Sequence, residues 1–225
     1  TPYNTEASKK SQVEDMFDNI APKYDLLNHV LSMKIDVLWR NTLVKMMKKD
    51  DPKLVLDVAT GTGDLAVTVQ KGTGADVVGL DLSQKMLDVG IEKIKKLNLA
   101  NKISMQKGDA ENLPFEDNKF DAVSVAFGVR NFEHLEVGLS ELKRVVKENR
   151  SVYILEFSKV EGLLGPAYMF YFKNILPQIG KLVSKDNRAY TYLPDSVNAF
   201  PHGEKMKQIL LGTGFKNVEY KKLSM

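Results

Sequence analysis

A glycine turn and three carboxylates stand at spacings that can do chemistry together. Gly61, Thr62 and Gly63 are followed by Ala66, which satisfies the G-x-G-x-x-A pattern between a strand and a helix. Glycines at such a turn let backbone N–H groups approach a ligand, and the helix N-terminus beyond favours negative charge. Asp57 precedes the turn in "LVLDVA". A carboxylate there can help hold a cationic amino group. Asp81 ends "DVVGLD", twenty residues after Gly61, where a carboxylate can accept from both ribose hydroxyls. Asp109 and Ala110 follow a third strand in "KGDAENLPFEDNKFD". That carboxylate can accept from an adenine amino group while the next amide meets the ring. The turn and the ribose acid alone fit any adenosine cofactor, NAD included. Acids after three successive strands suit a cation and suit a diphosphate poorly. S-adenosylmethionine, which carries an ammonium and a sulfonium, is therefore the expected cofactor. Neither a Tyr-x-x-x-Lys pattern nor a histidine placed for a dehydrogenase is present.

The elements that would position these residues alternate from residue 54 onward. Strands are expected over 54–59, 76–81, 102–109, 120–127 and 151–157. Helices are expected over 65–72, 83–98 and 135–147. Ser83 is the expected N-cap of the second of these helices, and Met86, Leu87, Ile91, Ile94 and Leu97 supply its apolar side. Strands joined by crossover helices build an α/β, doubly wound, mostly parallel sheet of Rossmann-like kind. Its ligand edge is the row of strand carboxyl ends. Two segments fall outside the alternation: a helical stretch over 11–49 and a helical insertion over 160–201. Segments added around such a sheet often cover its ligand edge. "HGEKMKQILLGTGF" reads as a helix and "KNVEYKKLSM" as a strand, so the sheet is expected to end one strand short. The expected organisation is one domain over 1–225, with a helical cover (11–49), a cofactor-binding core (50–157), a substrate cover (160–201) and a C-terminal helix and strand (202–225).

The composition narrows the function further. The 225 residues include 32 Lys+Arg and 29 Asp+Glu, for a net charge of +3. That surplus gives no reason to expect a nucleic-acid partner. Lysines at 45, 48 and 49 and at 93, 95 and 96 read as solvated helix faces. A peripheral contact with an anionic membrane surface stays open. No run reaches the roughly 18 apolar residues of a membrane span, and "TPYNTEASKK" lacks the apolar core of a signal peptide. There is no cysteine, so the cytoplasm is the default location, with the inner face of a membrane as the peripheral alternative. His29, His134 and His202 lack metal-ligand spacing, and no metal site is expected.

Four motifs extend the reading along nearly the whole chain. The cofactor half, about residues 50 to 157, resembles class I S-adenosylmethionine-dependent methyltransferases. "FDNIAPKYDLLNHVLSMKIDVLW", with Tyr24, Asp25, Asn28, Ser32 and Trp39, resembles the N-terminal signature of the ubiquinone/menaquinone biosynthesis C-methyltransferases. "FGVRNF" is similar to that family's motif after strand four, "RVVKENRSVYILEFS" to its second signature and "AYTYLPDSVNAFP" to its C-terminal motif. The resemblance implies methyl transfer from S-adenosylmethionine to a ring carbon of a demethylated prenyl quinol, either a demethylmenaquinol or a ubiquinol precursor. It carries cofactor contacts to Thr62, Asp81, Asp109 and Ala110. Three positions depart from the family pattern. Asp36 stands where histidine is usual, and Glu148, Asn149 and Arg150 replace a Pro-Gly-Gly turn. Both are expected to be tolerated loop or surface changes. Ala126 occupies a cofactor-site position that is often serine, which removes one hydroxyl there.

A quinol ring carbon becomes a strong nucleophile when its neighbouring hydroxyl loses a proton, so the site should stabilise a phenolate. Arg130 is the expected stabiliser, Asn131 orients the ring or a water, and Tyr24 on the N-terminal segment is a candidate third member. Arg130 as a structural loop residue and Tyr24 as ordinary packing are the alternatives. The prenyl tail needs an apolar route. "GPAYMFYFKNILPQIGK", with Phe170 and Phe172, suits a substrate cover that touches the tail. It equally suits plain core or a homodimer contact.

Overall fold

The computed structural model describes residues 1–3, 5–25, 34–158 and 188–223. Residues 160–187 of the expected cover over 160–201, with its aromatic run, lie outside the described residues, as does His29. Five strands form one parallel sheet: β1 (Leu54–Val58), β2 (Asp76–Asp81), β3 (Ile103–Lys107), β4 (Phe120–Ala126) and β5 (Val146–Leu155). The order is β3-β2-β1-β4-β5. The chain therefore reverses direction across the sheet between β1 and β4, and a doubly wound sheet opens its ligand crevice at such a switch point.

Both faces of the sheet are buried, which explains the near-continuous apolar strands. Successive side chains of β1 divide between the faces. Leu56 and Val58 join Leu80, Val123 and Val125 under α5 (Leu135–Val145) and α7 (Glu204–Gly212). Val55 joins Val77, Ile103 and Ala122 under α2 (Ile35–Met47), α3 (Asp64–Thr73) and α4 (Gln84–Lys96). Burying one such aliphatic side chain is worth about 1.5–3 kcal/mol, so these two layers hold the strand ends in place. Ser83 caps α4 as expected, its hydroxyl accepting from the Met86 N–H at 3.2 Å. Leu97 departs from the expected apolar side. It is the C-cap residue, beyond the last helical turn, and is 40% exposed.

The N-terminal segment supplies α1 (Lys9–Ile20), a 3-10 turn (Ala21–Lys23), and then α2 with a second 3-10 turn (Lys48–Asp50). A further helix, α6 (Arg188–Ala199), precedes α7.

Several expectations need correction. The Glu148-Asn149-Arg150 stretch is no turn between elements. β5 begins at Val146, and the register jumps from Phe120↔Val146 to Ala122↔Ser151, so these exposed residues form a bulge inside the strand. Without a proline every backbone N–H remains available to the ladder, and Asn149 takes the positive φ of 58° that the bulge requires. Asp36 is no surface change: it is 3% exposed and pairs with Arg40 at 2.5 Å. Lys93 belongs to no solvated face, because it pairs with both Asp25 and Asp64 at 2.6 Å. Residues 216–223 form no strand. A strand needs a ladder partner, and none of the described strands pairs beyond β5.

Candidate active site

The two loops that leave the switch point are tight. Ala59 after β1 and Phe127 after β4 have φ of 53° and 58°, a left-handed conformation uncommon for residues with a Cβ. Gly128 permits their approach, since a Cβ added there would lie 2.5 Å from the Ala59 Cβ. In the cofactor turn, Gly61 and Gly63 take φ of 56° and 80°, and Gly63 is the N-cap of α3. The sequence thus places glycine where the backbone must turn left-handed, and where the Met86 and Met105 side chains crowd the position a Cβ would take.

Asp57 lies under this turn and is 1% exposed. Its two oxygens accept from the Thr60 hydroxyl at 2.7 Å and from the Ser124 hydroxyl at 2.8 Å. Burial pushes its carboxyl up to about 6, against those two hydrogen bonds, which favour the charged form. Asp81 accepts from the Gly61 N–H at 2.8 Å and from the Ser83 N–H at 2.9 Å. Burial pushes it up to about 6 as well, opposed by the same backbone donors. Two buried carboxylates beside the glycine turn are costly alone, and a cationic ligand offsets that cost. The residues present therefore fit S-adenosylmethionine.

Thr62 is buried, and its hydroxyl donates to Asp25 at 2.5 Å and accepts from Lys93 at 3.1 Å. This ties the N-terminal segment to the cofactor turn. Tyr24 lies there too: its ring is 3.9 Å from a Cβ built on Gly61 and packs edge-on against Phe17. The structure thus puts Tyr24 beside the cofactor turn. Asp109 accepts from the Glu111 N–H at 2.9 Å and from Lys10 at 2.5 Å. The hydrogen bond to Asp109 raises the Lys10 ammonium above its ordinary value. Lys9 bonds the carbonyl oxygens of Arg130 at 3.1 Å and Phe132 at 2.5 Å. Helix α1 thus crosses from the end of β3 to the loop after β4. Ala110 and Ala126 are half-buried at this same edge.

Arg130 and Asn131 form a 3-10 turn, Val129–Asn131, just beyond β4. The Arg130 side chain is only 8% exposed. Its Nη1 donates to the Phe127 carbonyl and to Glu156 Oε1, the latter at 2.8 Å. Its Nε is buried with no hydrogen-bond partner among the described residues. Asn131 accepts from the Tyr192 hydroxyl of α6 at 3.2 Å. Burial raises the Tyr192 phenol above its ordinary value. Phe127 and Phe157 stack at 4.6 Å, and Trp39 meets both, at 6.2 and 5.8 Å. An aromatic wall therefore flanks the guanidinium.

Glu156, Tyr192, Lys9 and Lys10 were not among the expected site residues. Glu156 and Tyr192 stand inside "YILEF" and "AYTYLPDS", motifs that marked the family without assigning these two a role. The two lysines carry no local signal, because their partners lie about a hundred residues away in sequence.

The sheet order, the glycine turn after β1 and the acids at β1, β2 and the end of β3 define a class I S-adenosylmethionine-dependent methyltransferase. A solved phosphoethanolamine N-methyltransferase 2 of Haemonchus contortus, in complex with S-adenosyl-L-methionine, shares the fold. Its TM-score is 0.57 at 24% identity, over 76% of this chain and 35% of that one. The model of the ubiE/COQ5 methyltransferase family matches residues 5–225, and the chain belongs to that family. A demethylmenaquinone methyltransferase of Bacteroides fragilis is 45% identical over 225 residues, 99% of this chain and 92% of its own length. A ubiquinone/menaquinone biosynthesis C-methyltransferase UbiE of Geotalea uraniireducens is 45% identical over 94% of this chain and 91% of its own. Among the described residues no helix is long and apolar enough to cross a membrane.

Proposed function

We propose that this chain methylates a ring carbon of a demethylated prenyl quinol, with demethylmenaquinol as the preferred acceptor. The observation that carries the reading is the meeting, at one sheet edge, of a cation-suited acid set with a buried arginine beside an aromatic wall. The Bacteroides relative, a demethylmenaquinone methyltransferase, and the Geotalea relative, a ubiquinone/menaquinone biosynthesis C-methyltransferase, favour the same acceptor class.

When bound, S-adenosylmethionine supplies an electrophilic methyl group on a cationic sulfur. Asp81 accepts from the ribose hydroxyls, Asp57 and the Gly61–Thr62–Gly63 turn take the amino-acid end, and Asp109 with Ala110 takes the adenine. Ala126 borders the same edge. The wall of Trp39, Phe127 and Phe157 offers apolar ring surface to a quinol ring. Arg130 stabilises the phenolate that forms when the quinol hydroxyl gives up its proton, and its Nε–H, without a partner among the described residues, is the donor held ready for that oxygen. A guanidinium is a poor base, so Arg130 serves as an electrostatic partner and leaves proton removal to water. Asn131, held by Tyr192, orients the ring, and Tyr24 closes the cofactor side. The prenyl tail takes an apolar exit toward a membrane surface, which places the working enzyme at the periphery of a bilayer. A homodimer contact of this apolar region is compatible with the same reading.

The test offers labelled S-adenosylmethionine with a demethylmenaquinol and a demethylated ubiquinol precursor, side by side under reducing conditions. Label on the ring carbon of demethylmenaquinol is the expected result. Tight cofactor binding with no transfer to either acceptor would sink the reading.

A further inference from the structure

We propose that Glu156 is the positioning residue for Arg130 and acts on the reaction only through that guanidinium. The inference rests on the quinol reading above. β4 and β5 are parallel neighbours and end together, with Ala126 paired to Leu155. Their exit loops therefore lie side by side. One carries Arg130 and the other carries Glu156. Both side chains are more than nine-tenths buried, at 8% and 7% exposure.

The grip is double. Glu156 Oε1 accepts from Arg130 Nη1 at 2.8 Å, and Oε2 accepts from the Arg130 backbone N–H at 3.3 Å. One carboxylate thus holds the end of a long side chain and the root of the same residue, which fixes its rotamer. The carboxylate is itself anchored, because Oε1 also accepts from the Phe157 N–H at 2.9 Å. The Phe157 ring lies 5.5 Å from the guanidinium carbon and closes one side. The Phe127 carbonyl takes a further share of Nη1. Among the described residues the guanidinium is held at Nη1 and on the Phe157 ring face, while Nε keeps its hydrogen without a partner there. Glu156 also neutralises a guanidinium that would otherwise be buried as an isolated charge.

The test is a double-mutant cycle on methyl transfer to demethylmenaquinol. Glu156→Gln is the working variant, because its amide oxygen still accepts from Nη1 while its amide nitrogen cannot accept from the Arg130 N–H. We expect kcat to fall about 10- to 100-fold, with the affinity for S-adenosylmethionine by calorimetry changed less than about twofold. Glu156→Ala should be slower than Glu156→Gln. In the Arg130→Met background, Glu156→Gln should cause no further loss. Arg130→Met paired with Glu156→Met removes both buried charges, and its kcat should equal that of Arg130→Met alone. Losses that multiply in either pair, or an unchanged kcat in Glu156→Gln, would overturn the inference and leave the quinol reading standing. A wild-type rate in Arg130→Met would overturn the role of Arg130 itself, and this inference with it.

Discussion

Ser124 sits directly opposite Asp57 across the β1–β4 pairing and donates its hydroxyl to Asp57 Oδ1 at 2.8 Å. The two strands that flank the ligand crevice are thus joined at their facing side chains by a buried carboxylate.

Cofactor affinity should weaken as the pH falls through about 6. Asp57 and Asp81 are each raised from 3.8 to about 6, so both take protons in that range and lose the charge that attracts a cation. The loss should approach tenfold per proton per pH unit, about 1.4 kcal/mol each. Calorimetric titration with S-adenosylmethionine between about pH 8 and about pH 5 reads it directly. A flat profile would show that neither carboxylate meets the cofactor.

The cofactor-free protein should respond in the opposite sense. A carboxyl whose folded pKa is raised binds its proton more tightly when folded. The stability it contributes is fully present below its unfolded value near 3.8 and is lost as the pH rises through about 6. Asp57→Asn should flatten that part of the profile, because the amide oxygen still accepts a hydroxyl and cannot ionise. Melting temperatures of both proteins across that window are the measurement.

Lys10→Met should tighten cofactor binding modestly. Lys10 occupies one oxygen of Asp109 and adds positive charge where a cation must approach. The pair is about a third exposed, so the gain should not exceed about 1 kcal/mol, roughly fivefold in affinity, and should shrink in high salt. Weaker binding in Lys10→Met would mean that this lysine holds the cofactor.

Gly128→Ala should destabilise the fold by about 1–3 kcal/mol. The new methyl meets the Ala59 Cβ at 2.5 Å, between two loops already in left-handed conformations. Urea unfolding should show the shift, with turnover falling as well because Arg130 lies two residues on. Unchanged stability would mean that the switch-point loops can part freely.

Asp36→Ala should cost about 3 kcal/mol by leaving Arg40 short of a buried counter-charge. Asp64, at 3.3 Å, limits the damage. Replacing Asp36 and Arg40 together by leucine and methionine should recover most of the loss, as read by denaturant midpoints.

The sheet was legible in the sequence because its strands are apolar runs between turn signals. Asp57, Asp81 and Asp109 fell at the right edge because strand ends are easy to locate. The β5 bulge was not legible, since residues 147–150 are polar and look like any loop. The charged cluster of Asp36, Arg40, Asp64, Lys93 and Asp25 also stayed hidden, because its members come from four separated segments and each reads alone as a surface charge. Glu156 failed for a related reason. Its partner is a neighbour through strand adjacency, which sequence spacing does not display.

Helix α1 has a consequence for the order in which the molecule is made. Its lysines are anchored to carbonyls of residues 130 and 132 and to Asp109, at separations of 121, 123 and 99 residues. The ribosome releases this helix before any of the five described strands, yet its docking surface is complete only after four of them have been synthesised. This helix is therefore seated long after it is made. A nascent chain stalled before residue 130 would carry the glycine turn and all three of its acids, and would still lack the two carbonyls on which Lys9 comes to rest.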